Sequence, residues 1–233
     1  MTREGSIRTG NRPVTYLEVG DPGGPLVLHN HGGPSSRLEA ELFDSSAKAN
    51  GVRFVCADRP GMGGSDPQPG RTFEGWTDDL LLLADSLGAH RFAVTGWSEG
   101  GPWALAAAAY LDPARLVHVA CIADREVLAD EDVLGLFLGA SRECFLHGAD
   151  GLVVDATMLY EAWPFDMTSV TRPVHFWQGS DDALVPEIIN KTVAEKTPGA
   201  LWHPIDAGGH FIAVSHADDI LALVANDLAP ESN

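Results

Sequence analysis

The chain has 233 residues, with 15 Lys and Arg against 33 Asp and Glu, a formal net charge of −18, and 45% hydrophobic residues. So negative a chain repels phosphate backbones and anionic lipid, which argues against nucleic acid and membrane surfaces as partners. The hydrophobic share is enough to bury one sizeable core, and the length favours a single domain.

In chain order, residues 6–8 and 13–19 read as a hairpin around the Gly10-Asn11 turn. Short runs rich in Val, Phe, Leu and aromatic residues follow at 26–30, 53–57, 91–95, 116–122, 174–177 and 200–203. Each is bounded by Gly, Pro or Asp, as buried strands are. Between them lie helical patterns. Trp76, Leu80, Leu83 and Leu87 form one apolar stripe that stops at Gly88. Residues 99–110 are Ala-rich and end before Asp112-Pro113, 187–196 follow Pro186, and 216–228 carry Ile220, Leu223, Val224 and Leu228.

Strands alternating with helices of this length predict an α/β fold, with a mostly parallel sheet of about eight strands covered on both faces. From 124 to 160 the pattern is helical, through Val127, Leu128, Leu134, Leu138 and Phe145, with no strand. The expected organisation is therefore a core of residues 1–123 and 165–233, with a short helical lid at 124–164 inserted after the sixth strand. The opening MTREGSIRTG lacks the apolar stretch of a secretion signal. The longest small-apolar run, 104–111, is far shorter than the ~20 residues that cross a bilayer, so a cytoplasmic location is expected. Cys56, Cys121 and Cys144 are scattered among apolar residues and are expected to pack inertly in the core.

The sharpest local signal is Gly96-Trp97-Ser98-Glu99-Gly100-Gly101, which follows a strand and opens a helix. A turn this tight strains the serine backbone and requires small residues two before and two after it. It lifts the Ser98 hydroxyl off the sheet, at a helix N-terminus that favours a developing negative charge. Serine needs a histidine base held by a carboxylate. Among nine histidines, His210 stands out because Gly208-Gly209 precede it on a loop after the last strand. The acid is Asp181 or Asp182, after the penultimate strand, with Asp124 and Asp206 as rivals. His31-Gly32-Gly33-Pro34 follows an earlier strand, so the Gly33 and Glu99 amides are expected to form an oxyanion hole. His31 and Trp97 are expected to line a substrate pocket. His29-x-His31 has no evident third ligand, so no metal site is expected.

Five blocks in order resemble the serine-dependent α/β-hydrolase superfamily: HGGP, DRPGMGGSD, GWSEGG, GSDDALVP and GGHF. Aligning Gly179 and Pro186 with that family's acid-bearing block implies Asp182 as the triad acid beside Ser98 and His210. The resemblance also implies Gly33 and Glu99 as the oxyanion donors. It implies a cofactor-free hydrolase acting on a small-molecule ester or related carbonyl through an acyl-enzyme. Carbon–carbon bond hydrolysis of a dicarbonyl, or a catalytically silent ligand-binding member of the fold, are the alternatives. Ser98 argues against the relatives that open epoxides or remove halides with an elbow aspartate. Against the family pattern the cap is short, which predicts an open site tolerant of varied acyl groups. Within the Asp58–Asp66 block, Arg59 is expected to pair with a carboxylate rather than bind substrate. The sequence leaves the oligomeric state open, with a homodimer among the options.

Overall fold

A computed structural model describes residues 2–123 and 131–229. Eight strands form one sheet: β1 (Arg3–Thr9), β2 (Arg12–Gly20), β3 (Leu26–Asn30), β4 (Arg53–Ala57), β5 (Phe92–Trp97), β6 (Leu116–Ala123), β7 (Val174–Gly179) and β8 (Leu201–Ile205). Their spatial order is β1-β2-β4-β3-β5-β6-β7-β8. The β1–β2 and β2–β4 pairs are antiparallel, and every later pair is parallel. After β3 the chain steps to one side to make β4, then returns to the other side to make β5. The loops that leave β3 and β5 therefore diverge at the sheet's C-terminal edge, where open α/β sheets form a crevice.

The two faces are packed by alternation along the strands. Leu26 and Leu28 point to one side with Val55, Val94 and Phe176. There they meet Trp76, Leu80 and Leu83 of α2 (Phe73–Ser86) and Trp103 of α3 (Gly100–Tyr110). Val27 points to the other side with Phe54, Cys56 and Ala93, against Ala47 of α1 (Asp44–Ala49) and Ile220, Leu221 and Val224 of α8 (Ala217–Leu228). A strand apolar at every position is what burial on both faces demands. Each large side chain so buried contributes ~1.5–3 kcal/mol.

Several elements differ from the sequence expectation. The stretch 37–49 gave no periodic signal, yet Arg37–Phe43 forms a 3-10 helix and α1 follows it directly. Ser36 caps the former, its hydroxyl accepting from the Leu38 amide. The insertion contains α4 (Glu131–Cys144) and α5 (Asp150–Tyr160), two helices separated by a turn, while α6 (Glu187–Lys196) and α7 (Ile212–Ser215) lie beyond β7. Expectations about Asp124, Val127 and Leu128 lie outside the described residues. All three cysteines are free and buried; burial pushes the Cys121 thiol up to about 12 and that of Cys144 up to about 11. Among the described residues no helix is long and apolar enough to cross a membrane.

The insertion is tied to the core by a buried ion cluster. Asp155 of α5 pairs with Arg59 and Arg71, each at 2.5 Å, and neither Asp155 nor Arg59 has any solvent-exposed side-chain area. Arg59 also donates to the His31 and Gly32 carbonyls, at 2.6 and 3.2 Å, and lies over the Trp103 ring. Removing one partner of a buried pair leaves an uncompensated charge and costs ~3–5 kcal/mol. Asp155→Asn is expected to lose about that much unfolding free energy in urea, with the denaturation midpoint falling and the slope unchanged.

Candidate active site

β5 ends at Trp97 and the next residue, Ser98, holds a left-handed backbone at φ 54°. For a side chain of this kind that conformation costs about 1–3 kcal/mol and persists only where the surroundings impose it. Two close approaches do so. A Cβ at Gly96 would lie 2.1 Å from the Gly100 carbonyl oxygen, and one at Gly100 would lie 2.0 Å from that of Asn30. The Ser98 amide donates to the Ile122 carbonyl at 2.9 Å, pinning the turn to β6. The hydroxyl is left facing a cavity at the sheet edge.

Three of the predicted side chains meet there. Ser98 Oγ lies 2.7 Å from His210 Nε2, and His210 Nδ1 lies 3.0 and 3.3 Å from the two Asp182 oxygens. Asp182 Oδ1 already accepts the Leu184 and Val185 amides at 2.9 and 2.8 Å. An ionised carboxylate only accepts, so Nδ1 carries the proton and Nε2 presents its lone pair to the Ser98 hydroxyl. Of the rival acids, Asp181 is exposed and bonds Ser180 Oγ at 3.1 Å, and Asp206 is also exposed.

Trp97 lines the cavity wall, as expected, and does more. Its indole N–H donates to the His210 carbonyl at 2.8 Å, and its ring meets Phe211 edge-on at 4.8 Å. The strand bearing Ser98 thereby also fixes the loop bearing His210.

His31 departs from its expected place. It is fully buried and does not line the cavity. Its Nε2 accepts the Arg59 amide at 3.3 Å and its Nδ1 donates to the Gly32 carbonyl at 2.8 Å. Burial, and then the Arg59 guanidinium, hold its imidazole well below the ordinary range, hence neutral. Its turn-side neighbours draw it inward, so it braces the Gly32-Gly33 loop from behind.

The same loop is braced in front by Glu39, which no motif announced. Both Glu39 oxygens accept the Gly32 amide at 3.1 Å, and Oε1 also accepts His29 Nε2 at 2.8 Å. Among the described residues, no hydrogen bond engages the Gly33 or Glu99 amides, both of which flank Ser98. The Glu99 side chain folds back over Gly33, so that a Cβ there would lie 1.8 Å from Glu99 Oε2. That oxygen is buried without a partner. Burial raises the Glu99 carboxyl above its ordinary value, with Arg59 opposing.

The cavity measures about 710 Å³. Gly33, Ser98, Glu99 and His210 supply its polar floor, while Phe137 of α4 and Leu159 of α5 are among its apolar walls.

Residues 25–155 match the family model described as the alpha/beta hydrolase fold, which is more than half of the chain, and the protein belongs to that family. A protein named "Putative carbamate hydrolase RutD" from Caulobacter sp. (strain K31) is 25% identical over 258 residues, covering 87% of this chain and 95% of that one. An alpha/beta hydrolase fold protein from Nakamurella multipartita superposes with a TM-score of 0.80 at 20% identity, covering 97% and 99% of the two chains. The enol-lactonase from Burkholderia xenovorans LB400 does so at 0.74 and 18%, covering 96% and 99%.

Glu99 gives a signed pH prediction. A carboxyl whose pKa is raised on folding binds its proton more tightly folded than unfolded, so the stability it contributes falls as pH rises through that window. Below about pH 4, near the ordinary glutamate value, wild type and Glu99→Gln should melt alike. Above it the variant should become the more stable of the two, read as a melting-temperature difference that opens with pH and then levels.

Proposed function

We propose that the protein is a serine hydrolase cleaving a carboxylic ester or related acyl compound of small-molecule size through an acyl-enzyme. What carries the reading is the relay from Asp182 through His210 to the Ser98 hydroxyl, with the 2.7 Å contact aimed into the cavity. Membership of a hydrolase family supports it.

His210 Nε2 takes the Ser98 proton as Oγ attacks the substrate carbonyl carbon. The carbonyl oxygen becomes negative and accepts the Gly33 and Glu99 amides, each such donor contributing ~10²–10³ in rate. As the tetrahedral species collapses, the bond to the leaving oxygen breaks and that oxygen takes the proton from His210. Water then gives a proton to His210 and its oxygen attacks the acyl carbon, releasing the acid and returning the proton to Ser98. The sum is ester plus water giving acid plus alcohol, with no cofactor. Asp182 holds the imidazole in the required tautomer and offsets the charge it gains.

The cavity favours an apolar substrate. Its walls are mostly aliphatic and aromatic, and Leu184 and Ile189 at its rim are 70% and 53% exposed. When ionised, Glu99 on the floor repels acyl groups bearing a carboxylate, an effect strengthened by partial burial.

Ser98→Ala is expected to lower turnover of a short-chain p-nitrophenyl ester by about 10⁴-fold or more, as loss of such a nucleophile does. A fluorophosphonate should label the wild type at Ser98 and leave the variant unlabelled. Unchanged ester turnover in the variant would refute the assignment. Labelling without ester turnover would shift it to carbon–carbon cleavage, and absence of both to ligand binding.

A further inference from the structure

Away from Ser98, three histidines step diagonally across one face of the sheet. His118 is on β6, His175 on β7 and His203 on β8, and the registers Ala120↔His175 and Trp177↔His203 offset each from the next by two residues. Diagonal neighbours on a sheet face lie within reach of long side chains. The His118 and His175 rings stack at 4.2 Å, and those of His175 and His203 at 5.1 Å. Asp227, in the last turn of α8, closes on this ladder. Its Oδ2 lies 2.7 Å from His118 Nδ1 and 3.9 Å from His175 Nε2. One ligand atom from each of His118, His175 and Asp227 falls within 4.8 Å of the others.

The surroundings of Asp227 call for a cation. It sits at the negative end of a helix whose last turn holds no basic residue, where a carboxylate is disfavoured. Among the described residues its charged-group contacts are the two imidazoles alone. A carboxylate facing two imidazoles within a few ångströms is a metal-ligand set.

We propose that His118, His175 and Asp227 form a binding site for one divalent transition-metal ion of the zinc class, independent of the Ser98 centre. Two imidazoles and a carboxylate suit that class, and bonds of ~2.0–2.1 Å to each would require the ligand atoms, which lie within 4.8 Å of one another, to settle ~3.3 Å apart. The protons balance without release. His175 coordinates through Nε2 and its Nδ1–H donates to His203 Nε2, 2.9 Å away, the outer partner that metal-bound histidines require. His118 coordinates through Nδ1, and its proton moves to Nε2, which is buried and unpartnered. Asp227 is one-third exposed, so the fourth position is open to water. Such an ion would lock the end of α8 to β6 and β7 and stabilise the fold rather than take part in the hydrolysis.

The test is Zn²⁺ titration of the full chain by calorimetry, with Co²⁺ absorption as a report of nitrogen–oxygen coordination. Wild type and His210→Ala should each bind one equivalent, and Zn²⁺ should raise the melting temperature of both. Asp227→Asn and His175→Gln should bind at least a hundredfold more weakly and show no thermal shift. Metal-free far-ultraviolet circular dichroism and a cooperative melt like those of the wild type show that these two variants are folded. Wild-type affinity weaker than millimolar, or equal binding by Asp227→Asn, overturns the site. Binding lost in His210→Ala instead would assign the ion to the Ser98 centre and also overturn it. Neither result bears on hydrolysis, which the Ser98 variant tests separately.

Discussion

The turn between β5 and α3 leaves no room for a side chain at Gly96 or Gly100, and the rest of the site is arranged around that lack of space. Because α3 starts so close to the end of β5, Ser98 has no alternative to its left-handed backbone. Gly100 lies against the Asn30 carbonyl, so the start of α3 and the end of β3 are in contact before their loops diverge, and Gly33 and Ser98 line the same cavity. The strain at one residue is thus held by packing between two strands and a helix. Trp97 then extends the same rigidity to the loop carrying His210, through one hydrogen bond.

Electrostatics work in the same direction. The chain is strongly acidic, yet the polar groups behind the site are cationic or neutral: Arg59, Arg71 and His31 lie beneath the Gly32-Gly33 loop or beside it. Asp155 pairs with both arginines, and Glu39 takes the Gly32 amide and His29. Glu99 is left as the carboxyl on the cavity floor with an unpartnered oxygen.

Much of this was legible in the chain, for reasons that differ by element. β3 and β4 were readable to the residue because each carries a short apolar run, Leu26–Leu28 and Phe54–Ala57, close to turn residues. Ser98 and His210 stood out because glycines mark the turns that carry them, whereas the residues alone left Asp181 and Asp182 open and only the family resemblance chose between them. Segment 37–49 was not, because its structure comes from distant partners: Arg37 from Asp58 and Glu4, Glu39 from the Gly32 amide. His31 was misplaced because adjacency in sequence to Gly33 does not say which way a ring turns. The cluster of His118, His175 and Asp227 had no local signature, since strands far apart in the chain assemble it.

The ion cluster at Asp155 has a consequence for how far α5 can move. Swinging the inserted helices outward as a flap would pull one carboxylate away from two buried guanidinium groups, at a cost of several kcal/mol before any substrate contact could repay it. Helix α5 is therefore held against the core by Asp155.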